Sequence, residues 1–213
     1  MQVTEYPLVG REAELLQLVE MLKDLEGGAG SCTIVEGPAG IGKSRLLAAA
    51  VREADRFDID VITGQVTELD KAAPLMMSLH AYGLGPRSAQ QPGRDDRFRL
   101  LNRLSELIDA QTWTRPLLIV LDDAQWVDEF TVLALRTLIP ASLSSPVGWL
   151  LARRTASVRA RTSDPIDLLI DEGARRLFLG PLSEEVMPAL CQSVLGARPD
   201  AAVLGLAARS GGN

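Results

Sequence analysis

Cysteine, histidine and long apolar segments are scarce in this sequence of 213 residues. The two cysteines, Cys32 and Cys191, lack the spacing of metal ligands, which favours buried free thiols. The single histidine, His80, has no catalytic partner nearby in the sequence. No apolar run approaches the roughly 20 residues that cross a bilayer, and the N-terminus carries no secretion signal. We therefore expect a cytoplasmic protein that does not enter the membrane.

Positive charge is also in deficit, with 22 lysines and arginines against 28 acidic residues and a net charge of −6. This balance is a poor match for a phosphate backbone, so we expect no direct nucleic-acid contact by this chain. A hydrophobic fraction of 46% is enough for a substantial core in one domain. The last letters, AAVLGLAARSGGN, are a helical pattern followed by a turn, which suggests a domain of a longer protein.

Five short segments have the composition of β-strands: CTIVEG, FDIDVITGQ, LLIVLDDAQW, VGWLLARR and RRLFLGPL. Most of them are apolar throughout, and they alternate with segments of helical spacing. This pattern is typical of a parallel sheet that is covered by helices on both faces. The sequence therefore predicts an α/β fold.

Apolar spacing and capping residues predict where the helices lie. One helix is expected from Lys43 to about Ala54, and another along the apolar positions of residues 98–108. The helix that contains Leu135 should end at Pro140. Ser183, followed by two glutamates, is a good N-cap for the start of a helical segment. Residues 71–96 show no motif that we can interpret.

A glycine-rich turn follows the first predicted strand and opens a helix. Its letters, GPAGIGKS, satisfy the pattern G-x-x-x-x-G-K-[ST] in the required strand–loop–helix context. Glycines let the backbone amides turn toward phosphate oxygens, and the N-terminal end of the helix favours the same negative charge. Lys43 would reach the β- and γ-phosphates, and the Ser44 hydroxyl would bind Mg²⁺. The expected nucleotide contacts are Gly37, Pro38, Ala39, Gly40, Ile41, Gly42, Lys43, Ser44 and Arg45.

A phosphate loop of this kind needs an acidic partner at the end of a neighbouring strand. The run LLIVL ends on Asp122 and Asp123, and we assign Asp122 to the magnesium site and Asp123 to activation of the attacking water. The alternative, that they only cap the following turn, stays open and is stronger for Asp123. Gln125 is a weaker candidate for sensing the γ-phosphate through a water. Asp128 is better explained as the N-cap of the next helix.

Two arginines end the fourth predicted strand. If that strand lies between the strands of the phosphate loop and of Asp122, one guanidinium would point toward the γ-phosphate and could detect its presence. We prefer Arg154 over Arg153 for this role. A solvated basic cluster is the alternative.

The order of these motifs resembles a known family. LVGRE, GPAGIGKS, LLIVLDDAQWVDE, WLLARR, LGPLS and RSGGN are similar, in this order, to the ATPase domain of large ATP-binding LuxR-type transcriptional regulators. These proteins are signal-transduction (STAND) ATPases related to AAA+ proteins. The resemblance implies a P-loop NTPase fold with a five-stranded parallel sheet in the order 5-1-4-3-2, flanked by helices. It also implies that Val9, Gly10, Arg11 and Pro181 contact the nucleotide on its base side.

The same resemblance implies the domain organisation and the ligands. Residues 1–182 would form the nucleotide-binding α/β domain, and residues 183–213 would begin a helical subdomain. The partners would be ATP or ADP with Mg²⁺, and the sensor and DNA-binding regions of a longer chain. Self-association that depends on the nucleotide is also expected of such a domain. The choice of ATP over GTP rests on the resemblance.

These observations favour an ATP-binding and slowly hydrolysing switch domain of a LuxR-type regulator. Catalysis would depend on Lys43, Asp123 and Arg154. One rival hypothesis is an AAA+ ATPase or loader of the replication-initiator type, which would form nucleotide-dependent rings. The other is a scaffold with a vestigial site, which is disfavoured because Lys43, Ser44 and Asp122 are all present.

Overall fold

The computed structural model describes residues 8–65, 94–155, 166–209 and 212. Its strands are β1 (Ser31–Gly37), β2 (Asp60–Gln65), β3 (Leu117–Asp122), β4 (Val147–Arg154) and β5 (Arg175–Phe178). Its helices are α1 (Glu12–Glu26), α2 (Lys43–Ala54), α3 (Arg94–Thr112), α4 (Glu129–Ser142), α5 (Asp167–Asp171), α6 (Met187–Leu195) and α7 (Ala201–Arg209). Two single 3₁₀ turns, Asp55–Phe57 and Ala124–Trp126, follow α2 and β3.

The five strands form one parallel sheet in the order β2-β3-β4-β1-β5. This order confirms the predicted 5-1-4-3-2 arrangement and the P-loop NTPase fold. Strand β4 lies between β1 and β3 in the sheet. Arg154 is opposite Gly37, and Leu151 is opposite Leu121. The phosphate loop, the two aspartates and the arginine pair therefore leave the sheet at the same carboxyl edge.

Both faces of the sheet are buried. On one face, Ile34, Ile119 and Trp149 pack against α3, α4 and α5. On the other face, Val35 and Leu150 pack against α1 and α2. Burial on both sides explains why the central strands are apolar at successive positions instead of alternating.

Two helix boundaries and one short helix differ from the sequence prediction. Helix α4 continues past Pro140 to Ser142, because a proline late in a helix removes one hydrogen bond without blocking the residues that follow. Ser183 is not the N-cap of α6: residues 184–186 form a turn, and the helix begins only at Met187. The short helix α5 had no prediction at all. The side chain of Asp128 does cap α4, accepting a hydrogen bond of 3.0 Å from the Thr131 amide.

Several other predictions concern single residues or segments. Cys32 is a buried free thiol whose pKa is raised to about 12 by burial, whereas Cys191 is free but only half-buried. Strands β2 and β5 lie at the two edges of the sheet, and in the described residues only Ile62 of β2 and Leu177 of β5 are buried there. No helix in the described ranges is both long and apolar enough to cross a membrane. His80, with the rest of residues 71–93, lies outside the described part of the chain.

A buried carboxylate connects three neighbouring strands at the carboxyl edge. The Glu36 side chain of β1 is only 1% exposed. It accepts hydrogen bonds from Nε of Arg153 on β4 (2.7 Å) and from Nε of Arg176 on β5 (2.5 Å). Arg153, itself 3% exposed, also pairs with Asp167 of α5. One carboxylate thus fixes the ends of β4, β1 and β5 directly before the phosphate loop.

We expect Glu36→Gln to lower the free energy of unfolding by about 3 kcal/mol, because it leaves the buried Arg153 and also Arg176 without their shared counter-charge. Urea denaturation of the two proteins measures the difference. The matched control is Arg115→Gln, which removes exposed ion pairs to Asp58 and Asp60 and should cost less than about 1 kcal/mol. Equal losses in the two variants would contradict the role of Glu36.

Candidate nucleotide-binding site

The phosphate loop runs from the end of β1 to the start of α2. Gly40 and Gly42 have positive φ angles of +78° and +101°, which only glycine adopts without strain. No side chain caps the first turn of α2, so its amide groups are left for a ligand, and helix N-termini attract anions. Gly37 is required for another reason: a Cβ there would lie 2.8 Å from Ile41 and from the Leu179 carbonyl oxygen. The loop is therefore folded tightly against the residue that follows β5.

Lys43 is buried at the start of α2 and its ammonium group lies inside the loop. Nζ donates to the carbonyl oxygens of Gly37 (3.0 Å) and Pro38 (2.8 Å). An ammonium group has three donors, so one remains for a phosphate oxygen. Burial lowers the pKa of Lys43, the carboxylates of Asp123 and Asp122 act in the opposite direction, and Arg154 lowers it further. These four charged groups therefore share one electrostatic environment.

The two aspartates differ in their hydrogen bonding and backbone conformation. Asp122 ends β3, and its Oδ1 accepts a hydrogen bond of 2.8 Å from the Asp123 amide. Asp123 has left-handed backbone angles of φ +55° and ψ +38°, a conformation that aspartate tolerates better than most residues. This kink turns the chain into the Ala124–Trp126 turn and separates the directions of the two carboxylates.

The residues expected to hold Mg²⁺ are oxygen donors. Ser44 is exposed in the first turn of α2, and Asp122 is half-buried at the carboxyl edge. In the described ranges no three His, Cys, Asp or Glu side chains gather as a metal cage. A single carboxylate and a hydroxyl beside a phosphate loop fit Mg²⁺, which keeps several waters and is usually bound together with substrate phosphates.

The arginine pair is divided between two roles. Arg153 points into the sheet face and is engaged by Glu36 and Asp167. Arg154 is exposed at the end of β4, and its backbone amide donates to Oε1 of Gln125 (3.0 Å). The geometry therefore leaves Arg154 as the guanidinium of the pair that faces solvent at the loop.

An apolar pocket of ≈ 120 Å³ lies behind the phosphate loop. It is smaller than the roughly 300–1,000 Å³ of typical small-molecule sites, so it has room for part of a nucleotide, such as the base. Its walls are formed by three parts of the chain: the motif LVGRE at residues 8–12 (the N-terminal box), the phosphate loop, and the segment around α6. They contribute Leu8, Val9, Arg11, Gly40, Ile41, Gly42, Arg45, Leu182, Met187, Leu190 and Gly212.

The N-terminal box also holds the helical segment in place. The buried Arg11 guanidinium donates to the carbonyl oxygens of Gly180 and Ile41 and pairs with Glu14. Gly10, at φ +72°, lies so close to α6 that a Cβ would be 2.4 Å from Val186. Both residues thus connect the loop with the segment that follows β5.

Sequence reasoning placed Val9, Arg11, Gly40, Ile41, Gly42 and Arg45 at the nucleotide, and the structure places all six around the pocket. It missed Leu182, Met187 and Leu190, which come from the helical segment. Their signal was present, because Met187 and Leu190 have the i, i+3 spacing of one helix face. Pro181, which was predicted, does not line the pocket; its neighbour Leu182 does.

The fold and the loop define a P-loop nucleotide-binding domain of the α/β class. The AAA ATPase domain family matches residues 7–151, which is more than half of the chain, and the chain belongs to that family. No curated protein matches the chain.

Solved structures with the same fold include replication proteins. ORC1 of Aeropyrum pernix in complex with DNA has a TM-score of 0.67 and 20% identity over 97% of this chain and 57% of that one. ORC2 of the same organism, solved in ADPNP–ADP complexes, has a TM-score of 0.66 and 18% identity over 95% of this chain and 56% of that one. AMPPCP-bound DnaA from Aquifex aeolicus has a TM-score of 0.60 and 17% identity over 97% and 57%. The chain thus spans just over half the length of these proteins.

Proposed function

We propose that this chain binds Mg·ATP, hydrolyses it slowly and serves as the nucleotide-controlled switch of a larger protein. The observation that carries the proposal is the buried Lys43 inside the phosphate loop, with Asp122, Asp123 and Arg154 at the same carboxyl edge of the sheet. Membership in the AAA ATPase domain family supports it. So do the ADPNP–ADP and AMPPCP complexes of the structurally similar ORC2 and DnaA.

Each residue has a proposed role at the phosphate end. Lys43 binds the β- and γ-phosphates, and Ser44 and Asp122 hold the magnesium ion with its waters. When bound, the metal would neutralise charge on the phosphates. Asp123 orients the attacking water, and Arg154 senses whether the γ-phosphate is present. An aspartate is shorter than glutamate and reaches the water less well, which fits slow turnover.

The base end of the nucleotide is proposed to occupy the apolar pocket. Val9 and Ile41 would contact the base, and Gly10 and Arg11 would act by holding the helical segment close. Residues 183–213 would then be the beginning of a helical subdomain that covers the base, with residues 1–182 as the α/β domain. A shift of this subdomain between the ATP and ADP states would be the switch.

Two settings are proposed for the switch, that is, two kinds of larger protein that could contain it, and different observations support each. The fold similarity to ORC1, ORC2 and DnaA supports an AAA+ ATPase of the replication-initiator type. Such a protein is expected to form nucleotide-dependent rings. The motif series from LVGRE to RSGGN supports a LuxR-type STAND regulator, whose sensor and DNA-binding regions would act as partners. The comparisons favour the first setting. Direct contact with nucleic acid is not proposed for this chain, whose net charge is −6.

Lys43→Ala should abolish nucleotide binding, because it removes the only loop side chain with a positive charge directed at the phosphates. Titration with a fluorescent ATP analogue in the presence of Mg²⁺ measures the dissociation constant. Lys23→Ala, at an exposed position of α1, is the matched control and should bind like the wild type. Near-normal affinity in the Lys43 variant would contradict the site.

The wild-type chain should hydrolyse ATP at less than about 1 s⁻¹, the low end for ordinary enzymes. Asp123→Asn should reduce even this rate, because an amide cannot take a proton from the attacking water. Steady-state phosphate release measures both proteins. A wild-type rate well above that limit would point to an ordinary turnover enzyme and against a switch.

Size measurements by light scattering, with and without Mg·ATP, separate the two settings. The initiator type predicts nucleotide-dependent assemblies of several copies. For the regulator type, nucleotide-dependent self-association would require the sensor and DNA-binding regions as well, so this chain alone should stay monomeric in both conditions. Lys43→Ala is the control, since an assembly that persists in it does not depend on the nucleotide.

A further inference from the structure

Gln125 makes hydrogen bonds with both ends of its side-chain amide. Nε2 donates to Oδ1 of Asp123 at 2.8 Å, and Oε1 accepts from the backbone amide of Arg154 at 3.0 Å. Rotating the amide by 180° would place oxygen against the carboxylate and N–H against N–H, so only this orientation satisfies both partners. A methionine, leucine or glutamate at this position would lose at least one of the bonds.

The backbone that carries Gln125 is itself held in place. Ala124, the preceding residue, is fully buried in the core. The turn is closed by hydrogen bonds from the Trp126 amide to Asp123 O (3.0 Å) and from the Val127 amide to Ala124 O (3.3 Å). The Gln125 side chain therefore starts from a fixed point, and its two bonds transmit that position to its partners.

We propose that Gln125 is a positioning residue for ATP hydrolysis: it sets the orientation of the Asp123 carboxylate and connects it to the end of β4 beside the phosphate loop. This role differs from sensing of the γ-phosphate through a water, because it acts on the Asp123 carboxylate and not on the nucleotide. It rests on the proposed function, since Asp123 matters only if the chain hydrolyses ATP.

The connection reaches the phosphate loop itself. The Arg154 amide bonds Gln125, and the next amide, that of Thr155, donates to the carbonyl oxygen of Gly37 (3.2 Å). Gly37 also accepts from Lys43. The end of β4 thus stands between the loop that would hold the phosphates and the carboxylate that would orient the water. A displacement of that end moves both groups together.

For Asp123 the consequence is a fixed choice of oxygen. Gln125 engages Oδ1, which restricts rotation of the carboxylate and leaves Oδ2 for the attacking water. A carboxylate that is free to rotate would spend less time in the productive geometry, and a misplacement of about 1 Å costs up to about 100-fold in rate. Gln125 should therefore affect the chemical step and leave nucleotide affinity nearly unchanged.

The test compares two variants with the wild type. Gln125→Met removes both bonds, whereas Gln125→Glu keeps the acceptor for the Arg154 amide and loses the donor to Asp123. We expect kcat for ATP hydrolysis to fall at least about tenfold in both variants, with KM within about threefold of the wild type. Gln17→Met, at an exposed position of α1, is the matched control and should behave like the wild type.

Backbone amide exchange provides a readout that does not depend on activity. The Arg154 amide should exchange at least about tenfold faster in Gln125→Met and near the wild-type rate in Gln125→Glu. The Thr155 amide, which bonds Gly37, is the internal reference. A kcat within twofold of the wild type in both variants, a loss carried by KM alone, or unchanged Arg154 exchange in Gln125→Met would each overturn the proposal.

The same measurements separate this role from the proposed function. If the wild type hydrolyses ATP no faster than Asp123→Asn, the proposed role of Asp123 in hydrolysis fails, and the role of Gln125 fails with it. If the wild type exceeds Asp123→Asn but Gln125→Met matches the wild type, the hydrolysis stands and only the role of Gln125 is overturned.

Discussion

The carboxylate of Glu36 is the constraint on which the candidate site depends. It is buried at the end of β1, and it is neutralised by arginines from the strands on either side. A buried charge is tolerated only when such partners are in place. The ends of β4, β1 and β5 must therefore lie side by side, so that both arginines reach the Glu36 carboxylate. The phosphate loop begins one residue later, at Gly37. Its position relative to Arg154 is therefore set by the pairing of β1 with β4 and by this ion-pair network.

The phosphate end of the site could be predicted from sequence because its determinants are local. The loop, its lysine and the first residues of the helix that follows lie within eight consecutive residues, and the strand and helix patterns stand directly on either side of them. The two aspartates follow an apolar strand directly. The sheet order was not evident from such patterns and came from the family resemblance. The structure confirms this order of the strands.

The ion-pair network and the contacts of residues 8–12 with the segment after β5 could not be predicted, because the partners are far apart in sequence. Arg153 lies 117 positions from Glu36, and Arg11 lies 169 positions from Gly180. Arg153 and Arg154 are indistinguishable as adjacent letters, yet one is buried in the network and the other is exposed. Helix ends failed for a related reason: Ser183 has the residue type of an N-cap, but the turn at residues 184–186 delays α6 to Met187.

The two ends of the site therefore differ in what can disturb them. The phosphate end is built on the sheet, whose register is fixed by burial on both faces and by Glu36. The base pocket is completed by the segment of Leu182, Met187 and Leu190, and α6 has no fully buried residue of its own. That segment is held by a few contacts, chiefly those of Gly10 and Arg11. Movement should therefore open the base side first, while the phosphate loop keeps its shape, which is the asymmetry that a nucleotide switch requires.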